Sequence, residues 1–322
     1  GDAAALTAQA VAAARAAEVA VVFLGLPASE ESEGYDRDHI DLPPAQLALL
    51  EAVLAANPVT VVVLSNGGAV ALPFRDRVPA IVEGWLLGQA GGGATADVLY
   101  GVVNPSAKLT ETIPLRLADS PSFGNFPGEF GHVRYGEGLL VGYRGFDARE
   151  LEVAYPFGHG LSYTTFGYGA PSATLQASGD VLVELDVTNT GASAGREVVQ
   201  LYTSLDGSVV QRPPRELKAF ASVALQAGET GRVALTVRRE DLAYWDVRLD
   251  RWIVEGGDYL IEVGASSRDL RGSVVVRIEG DPVVRPLTME SSVADLLADP
   301  VAGPVAREAM AAVFGGGVGM DA

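Results

Sequence analysis

The residues most able to do chemistry are crowded into one stretch, Glu30-Glu31-Ser32-Glu33-Gly34-Tyr35-Asp36-Arg37. Carboxyl groups give and take protons near neutral pH once positioned. A glycine beside a carboxylate lets the backbone turn sharply and frees the acid to project. An Asp36–Arg37 pair can hold such a loop by a charge-assisted bond. On composition alone the plainer reading is a solvated acidic loop. Other candidates are weaker. His39, His132 and His159 lie far apart, with no metal-ligand spacing. His159, in Phe157-Gly158-His159-Gly160, is expected to be structural. Gly88–Gly93 lacks the Lys-Ser/Thr of a phosphate loop and reads as close helix–strand packing. Ser65-Asn66-Gly67-Gly68 follows a strand but is not Gly-x-Ser-x-Gly, which argues against a serine hydrolase. Trp85, Trp245 and Trp252 are of a type that stacks on sugar rings, the last two being expected as core or edge aromatics of a sandwich.

The elements that must position the acidic run are α/β in pattern. Ala3 to Ala17 predicts a helix. Val19 to Leu24 predicts a strand buried on both faces. A polar loop from Pro27 to Asp41 carries the carboxylates. Pro43 and Pro44 open a helix over Ala45 to Ala56, which Asn57-Pro58 ends. Val59 to Leu64 and Ala80 to Trp85 predict further strands, and Gly91 to Gly93 precede a short helix ending near Tyr100. Strands alternating with helices imply a parallel sheet, at whose carboxyl edge ligands bind. The acidic run sits just past one such strand end.

From about Gly167 the period changes to two: Val181, Val183, Leu185 and Val187, then Val233, Leu235 and Val237, then Tyr259, Ile261 and Val263. Turns at Asn189-Thr190-Gly191, Ala227-Gly228 and Gly256-Gly257 separate them, and the pattern predicts an antiparallel sandwich. The expected fold class is therefore a partial α/β sandwich domain with a mainly parallel sheet, followed by an all-β sandwich. The expected division is residues 1–118, a wrapping linker 119–166, the all-β domain 167–281 and a tail 282–322. A short helix is expected near Met289 to Leu297, and mobility from Gly315 to Gly317 onward.

Composition excludes several classes. The chain of 322 residues is 48% hydrophobic, 20% charged and carries a net charge of −18. Such an acidic surface makes nucleic acid a poor partner. There is no cysteine, hence no disulfide or thiolate chemistry. No apolar run reaches the roughly 18 residues of a spanning helix, so no membrane partner is expected. No cofactor or metal is expected either. The start at Gly1-Asp2-Ala3 has neither Met nor a signal-peptide pattern, and a piece of a longer protein is the expectation. Compartment and self-association stay open.

The motifs, taken together, resemble family 3 glycoside hydrolases. Glu31 to Arg37 followed by Ile40-Asp41-Leu42-Pro43 is similar to the family's acid/base loop. Gly84–Gln89, Ala96–Gly101 and Asn104–Leu109 with Pro114 resemble its α/β domain, Ala107 standing where glycine is usual. Tyr135–Gly138, Val141–Arg144 and Pro156–Tyr163 resemble the segment leading out of that domain. Val187–Gly191, Val198–Tyr202, Arg212-Pro213, Glu216–Lys218 and Val263–Ser267 resemble its fibronectin type III-like domain, and Pro286–Ser291 its endings. The resemblance implies a retaining β-glucosidase acting on β-glucosides or oligosaccharides. Such a mechanism needs two carboxyl groups about 5 Å apart, one a nucleophile and one an acid/base. It implies Glu33 as the acid/base, the place before glycine favouring it over Glu31. It implies a nucleophile in an N-terminal (β/α)8 barrel, as a separate chain or part of a longer precursor, because the motif for it is not in this chain. The other reading is a non-catalytic carbohydrate-binding or structural module, which an adjacent barrel-encoding segment would disfavour.

Overall fold

The computed structural model describes residues 2–283 and 286–314; the glycine run expected to be mobile lies outside them. Helix α1 (Ala3–Ala16) is a run of strong helix formers, capped by the Asp2 carboxylate on the Ala4 N–H. Strand β1 (Ala20–Gly25), helix α2 (Pro44–Ala56), strand β2 (Thr60–Ser65) and strand β3 (Ala80–Glu83) follow. They form a parallel sheet in the order β1-β2-β3. Asn57 stops α2 and, from a buried position, donates to the carbonyls of Ala14 and Ala17. The residue that ends one helix thereby holds the end of the other.

Register decides where the loops emerge. Gly25 lies opposite Ser65, and Leu64 opposite Glu83, so all three strands end together. Gly25 is required: a Cβ there would stand 2.3 Å from the Ser65 carbonyl oxygen. The side chain of Gln46 on α2 then meets both backbone groups of Gly25, accepting its N–H at 2.9 Å and donating to its carbonyl at 2.8 Å.

Three expectations need correction. β1 is buried on one face only. Ala20, Val22 and Leu24 join Ala14, Leu50 and Val53 in the core, while Phe23 on the other face is 66% exposed. The reason is that, among the described residues, a layer packs on one face of β1 and leaves the Phe23 face uncovered. β3 stops at Glu83, because Trp85 turns away with φ of 51°. Gly91–Gly93 do not precede helix α3 (Gly91–Leu99) but form its first turn.

The aperiodic middle holds strand β4 (Ile113–Pro114) paired antiparallel with β5 (Val153–Tyr155), and the short helix α4 (Tyr143–Ala148) between them. The period-two region begins with β6 (Phe166–Tyr168), β7 (Ser172–Leu175), β8 (Val181–Asn189), β9 (Gly195–Leu205), β10 (Glu216–Leu225) and β11 (Thr230–Val237). After a hairpin of β12 (Tyr244–Asp246) and β13 (Arg251–Ile253), it closes with β14 (Gly257–Ser266) and β15 (Asp269–Ile278). One antiparallel sheet runs β10-β9-β14-β15, the other β11-β8-β6 with β7 also on β8. Val183, Leu185 and Leu235 of one sheet, and Leu201, Ile261 and Val263 of the other, are buried as alternation predicts.

The β12–β13 hairpin pairs with neither sheet. Residues 243–255, within the stretch expected to form the sandwich, cluster instead with the chain from Glu279 onward as a second unit. There Val254 and Asp281 exchange backbone and side-chain bonds. Helix α5 (Val293–Ala298) carries a Ser292–Asp295 capping box, and α6 (Ala302–Phe314) follows. Trp245 and Trp252 are neither core nor sandwich-edge residues. They meet edge to face across the hairpin, 45% and 64% exposed.

Within the first unit, polar contacts join the α/β portion to the sandwich. The Asn104 carboxamide donates to the Ala194 carbonyl and accepts from Ser162 and the Tyr163 amide. Asp147 on α4 lies between Arg215 and Arg268. Lys108 meets Glu197 at 2.9 Å, both nearly enclosed. Removing one member of a buried pair strands the other charge, at about 3–5 kcal/mol. Glu197→Ala is therefore expected to lower unfolding free energy by about 3–5 kcal/mol in denaturant melts, and Lys108→Met with Glu197→Leu by much less. A near-neutral Glu197→Ala would show that the pair does not hold the joint.

Candidate active site

The acidic loop leaves the carboxyl end of β1 and folds on itself. The Glu30 and Glu31 amides both donate to the Pro27 carbonyl. The Tyr35 hydroxyl donates to the Ala28 carbonyl at 2.7 Å. Ser32 and Tyr35 form an antiparallel bridge, and the Ser32 hydroxyl accepts the Gly34 amide. Glu33 and Gly34 are thus the tip of a tight turn.

The two candidate carboxylates part here. Glu31 is half-buried and its Oε2 accepts the Gly67 N–H at 2.8 Å. Glu33 is exposed, and its carboxylate has no hydrogen bond or ion pair among the described residues. Asp36 and Arg37 do not pair as expected: the Arg37 guanidinium reaches across to the Ala69 carbonyl at 3.4 Å. The Ser65–Gly68 turn, discounted as a hydrolase motif, receives Glu31, and Arg37 bonds just past it at Ala69.

Beside this turn stand two carboxyls that the sequence pattern did not single out. Glu83 ends β3, with its oxygens toward the Trp85 N–H and the Asn66 amide. Burial pushes its pKa up, the two hydrogen bonds oppose this, and the charge of Glu111 adds to the rise. Burial likewise pushes Glu111 up, against the Ala69 amide and the charge of Arg37. Asn66 is wholly buried, and its Oδ1 has no partner among the described residues. The signal for Glu83 was present in Ile81-Val82-Glu83-Gly84, a carboxylate closing an apolar strand run. For Glu111 no local signal exists.

Trp85 packs against the sheet core and is not an open platform. Its left-handed backbone is a strained conformation for so large a residue, reached directly after Gly84, whose absent Cβ would stand 2.8 Å from the Leu64 carbonyl oxygen. His39 is exposed beside Asp38, and His132 lies in a bridge with Glu129. His159 stacks on Tyr155, and burial, then the charge of Lys108, lowers its pKa. No cluster of His, Asp and Glu among the described residues is arranged to hold a metal ion, and no described helix is long and apolar enough to cross a membrane.

The loop thus stands at the carboxyl edge of a parallel sheet in a chain that continues into an antiparallel sandwich, and the comparisons name the family with that architecture. Residues 3–163 match the glycosyl hydrolase family 3 C-terminal domain, and residues 197–267 a fibronectin type III-like domain. The chain belongs to glycoside hydrolase family 3. An exo-α-(1→6)-L-arabinopyranosidase of Bifidobacterium longum is 45% identical over 309 residues, 96% of this chain and 41% of that protein. Thermostable β-glucosidase B of Acetivibrio thermocellus is 45% identical over 92% of this chain and 40% of its own length. Among solved structures, a Bifidobacterium adolescentis family 3 β-glucosidase superposes with a TM-score of 0.88 at 45% identity, over 94% of this chain and 45% of that one. The Kluyveromyces marxianus β-glucosidase in complex with glucose gives 0.81 at 42% identity, over 85% and 33%. The chain thus spans less than half the length of these relatives.

Glu83 yields a pH prediction. A carboxyl whose folded pKa is raised binds more protons folded than unfolded through the window between the two values, so it costs stability as pH rises through that window. The window opens at the ordinary value of 4.5 and extends upward. Glu83→Gln is expected to flatten the fall in melting temperature as pH rises above about 4.5. An unchanged slope would mean that Glu83 is not held protonated by burial.

Proposed function

We propose that this chain supplies the general acid/base of a retaining glycoside hydrolase acting on terminal, non-reducing β-D-glucosyl residues, and that Glu33 is that group. The observation that carries the reading is the division of labour in the loop: Glu31 is engaged by the Gly67 amide, whereas Glu33 stands free at the tip of a closed turn. A (β/α)8 barrel outside this chain supplies the nucleophile. In the first step that carboxylate attacks the anomeric carbon while Glu33 gives its proton to the departing oxygen. In the second, Glu33 takes a proton from water, which displaces the sugar from the nucleophile. The exposed Phe23 face of β1 supports a further layer, since parallel sheets are ordinarily covered on both faces. The names of several relatives support glucose. The bifidobacterial name favours α-L-arabinopyranoside as a second glycon to test.

Two results are expected. The chain alone, given aryl β-glucosides, shows no turnover, because one carboxyl cannot complete a double displacement; a rate of about 1 s⁻¹ or more would overturn this. In the barrel-completed protein, Glu33→Ala slows glycosides with poor leaving groups by about 10²–10⁴-fold. It spares the first step for dinitrophenyl glycosides, and azide restores turnover as a β-glycosyl azide. If no azide product forms, Glu33 is not the acid/base.

A further inference from the structure

Most of the loop's contacts are internal: Pro27 with Glu30 and Glu31, Ala28 with Tyr35, Ser32 with Gly34 and Tyr35. They fix the shape of the turn but not its place on the protein. Between its start at Leu26, bonded to the Ser65 carbonyl, and Arg37, one bond among the described residues runs from the turn to the body of the fold: Glu31 Oε2 to the Gly67 N–H, across 36 positions of sequence. The neighbouring residue is shaped for it. A Cβ on Gly67 would stand 3.0 Å from Glu31 Oε1 and 3.1 Å from its carboxyl carbon. A side chain there would make the carboxylate give way by a few tenths of an ångström.

We infer that Glu31 is the positioning residue of the acid/base loop, its carboxylate seated on the bare backbone of Gly67 so that Glu33 is presented at a fixed place. The inference rests on the reading of Glu33 as the acid/base. It gives the Ser65-Asn66-Gly67-Gly68 turn a role: a landing site in which glycine is the fitting residue and the amide the functional group. An ionised carboxylate is the strong acceptor for such an amide. Glu31 touches no reacting atom in this scheme; its removal leaves the proton donor present but loosely placed, and a displacement near 1 Å typically costs on the order of 10²-fold in rate. The loss falls on the step that needs proton donation, not on substrate affinity.

The test compares Glu31→Ala, Glu31→Gln, Gly67→Ala and Glu33→Ala in the barrel-completed protein, using an alkyl β-glucoside and a dinitrophenyl β-glucoside. Glu31→Ala is expected to lower kcat on the alkyl glucoside by about 10- to 100-fold with KM little changed, to spare the first step for the dinitrophenyl glucoside, and to give no glycosyl azide. Glu31→Gln should stay within about threefold of the parent, since its amide oxygen keeps the bond at roughly half the strength. Gly67→Ala should act in the same direction as Glu31→Ala but by less, and the double variant should be no worse than Glu31→Ala alone, because both act on the same contact. Hydrogen exchange at the Gly67 amide should quicken in Glu31→Ala and not in Glu31→Gln. Unchanged activity in Glu31→Ala, additive losses in the double variant, or unaltered Gly67 exchange would each overturn the inference. Absence of azide rescue in Glu33→Ala would instead remove the acid/base reading beneath it, whatever Glu31 does.

Discussion

The account depends on three parallel strands ending level. Gly25 lies against Ser65, and Glu83 against Leu64, because the β1–β2 approach leaves no room for a side chain on Gly25. Everything that follows these strand ends therefore starts from one edge. A slip of one residue would turn the core face of a strand outward and carry its loop away from the Ser65–Gly68 turn. Gln46 secures the end of β1, satisfying both backbone groups of Gly25 with one side chain. The chemistry proposed for Glu33 is thus placed by backbone geometry several residues before the carboxylate itself.

The sandwich stiffens what the small sheet cannot. A three-stranded sheet with one face open buries little apolar surface by itself. Its C-terminal extension is tied down by Asn104, Lys108 and Asp147, each meeting sandwich residues inside the first unit. Gly158 shows how close that approach is, for a Cβ there would lie 2.0 Å from Gln200 Oε1. This pattern suits a protein in which function sits on loops and rigidity comes from the scaffold.

The parallel sheet and the two-sheet sandwich were legible from periodicity, because residues such as Val62 and Leu185 occupy the buried positions that the pattern demands. Which faces are covered was not legible. The run around Phe23 is equally apolar whether one layer or two pack on it, so sequence cannot tell a strand covered on one face from one covered on both. Trp245 and Trp252 misled for a related reason: a tryptophan in a strand pattern reads as core, yet the hairpin pairs only with itself. Nothing in the pattern announces α6, since Gly303 and Pro304 look like a loop, although proline is tolerated in a first helical turn. In the site, the resemblance singled out the loop and the place before glycine favoured Glu33 over Glu31, but the sequence gives no sign of what Glu31 itself meets. Glu31 meets an amide 36 positions away, and Glu111 joins Glu83 and Arg37 through tertiary folding alone.

The central claim is that the turn closed by Ser32 and Tyr35 presents Glu33, and not Glu31, to the reacting sugar. The most direct measurement is a crystal structure of the barrel-completed protein trapped as its 2-fluoroglucosyl intermediate. The account predicts the Glu33 carboxyl about 5–5.5 Å from the glycosylated carboxylate, the separation of a retaining pair. It also predicts Glu31 still seated on the Gly67 amide. A structure with Glu31 or another acid at that distance, and Glu33 turned to solvent, would contradict it.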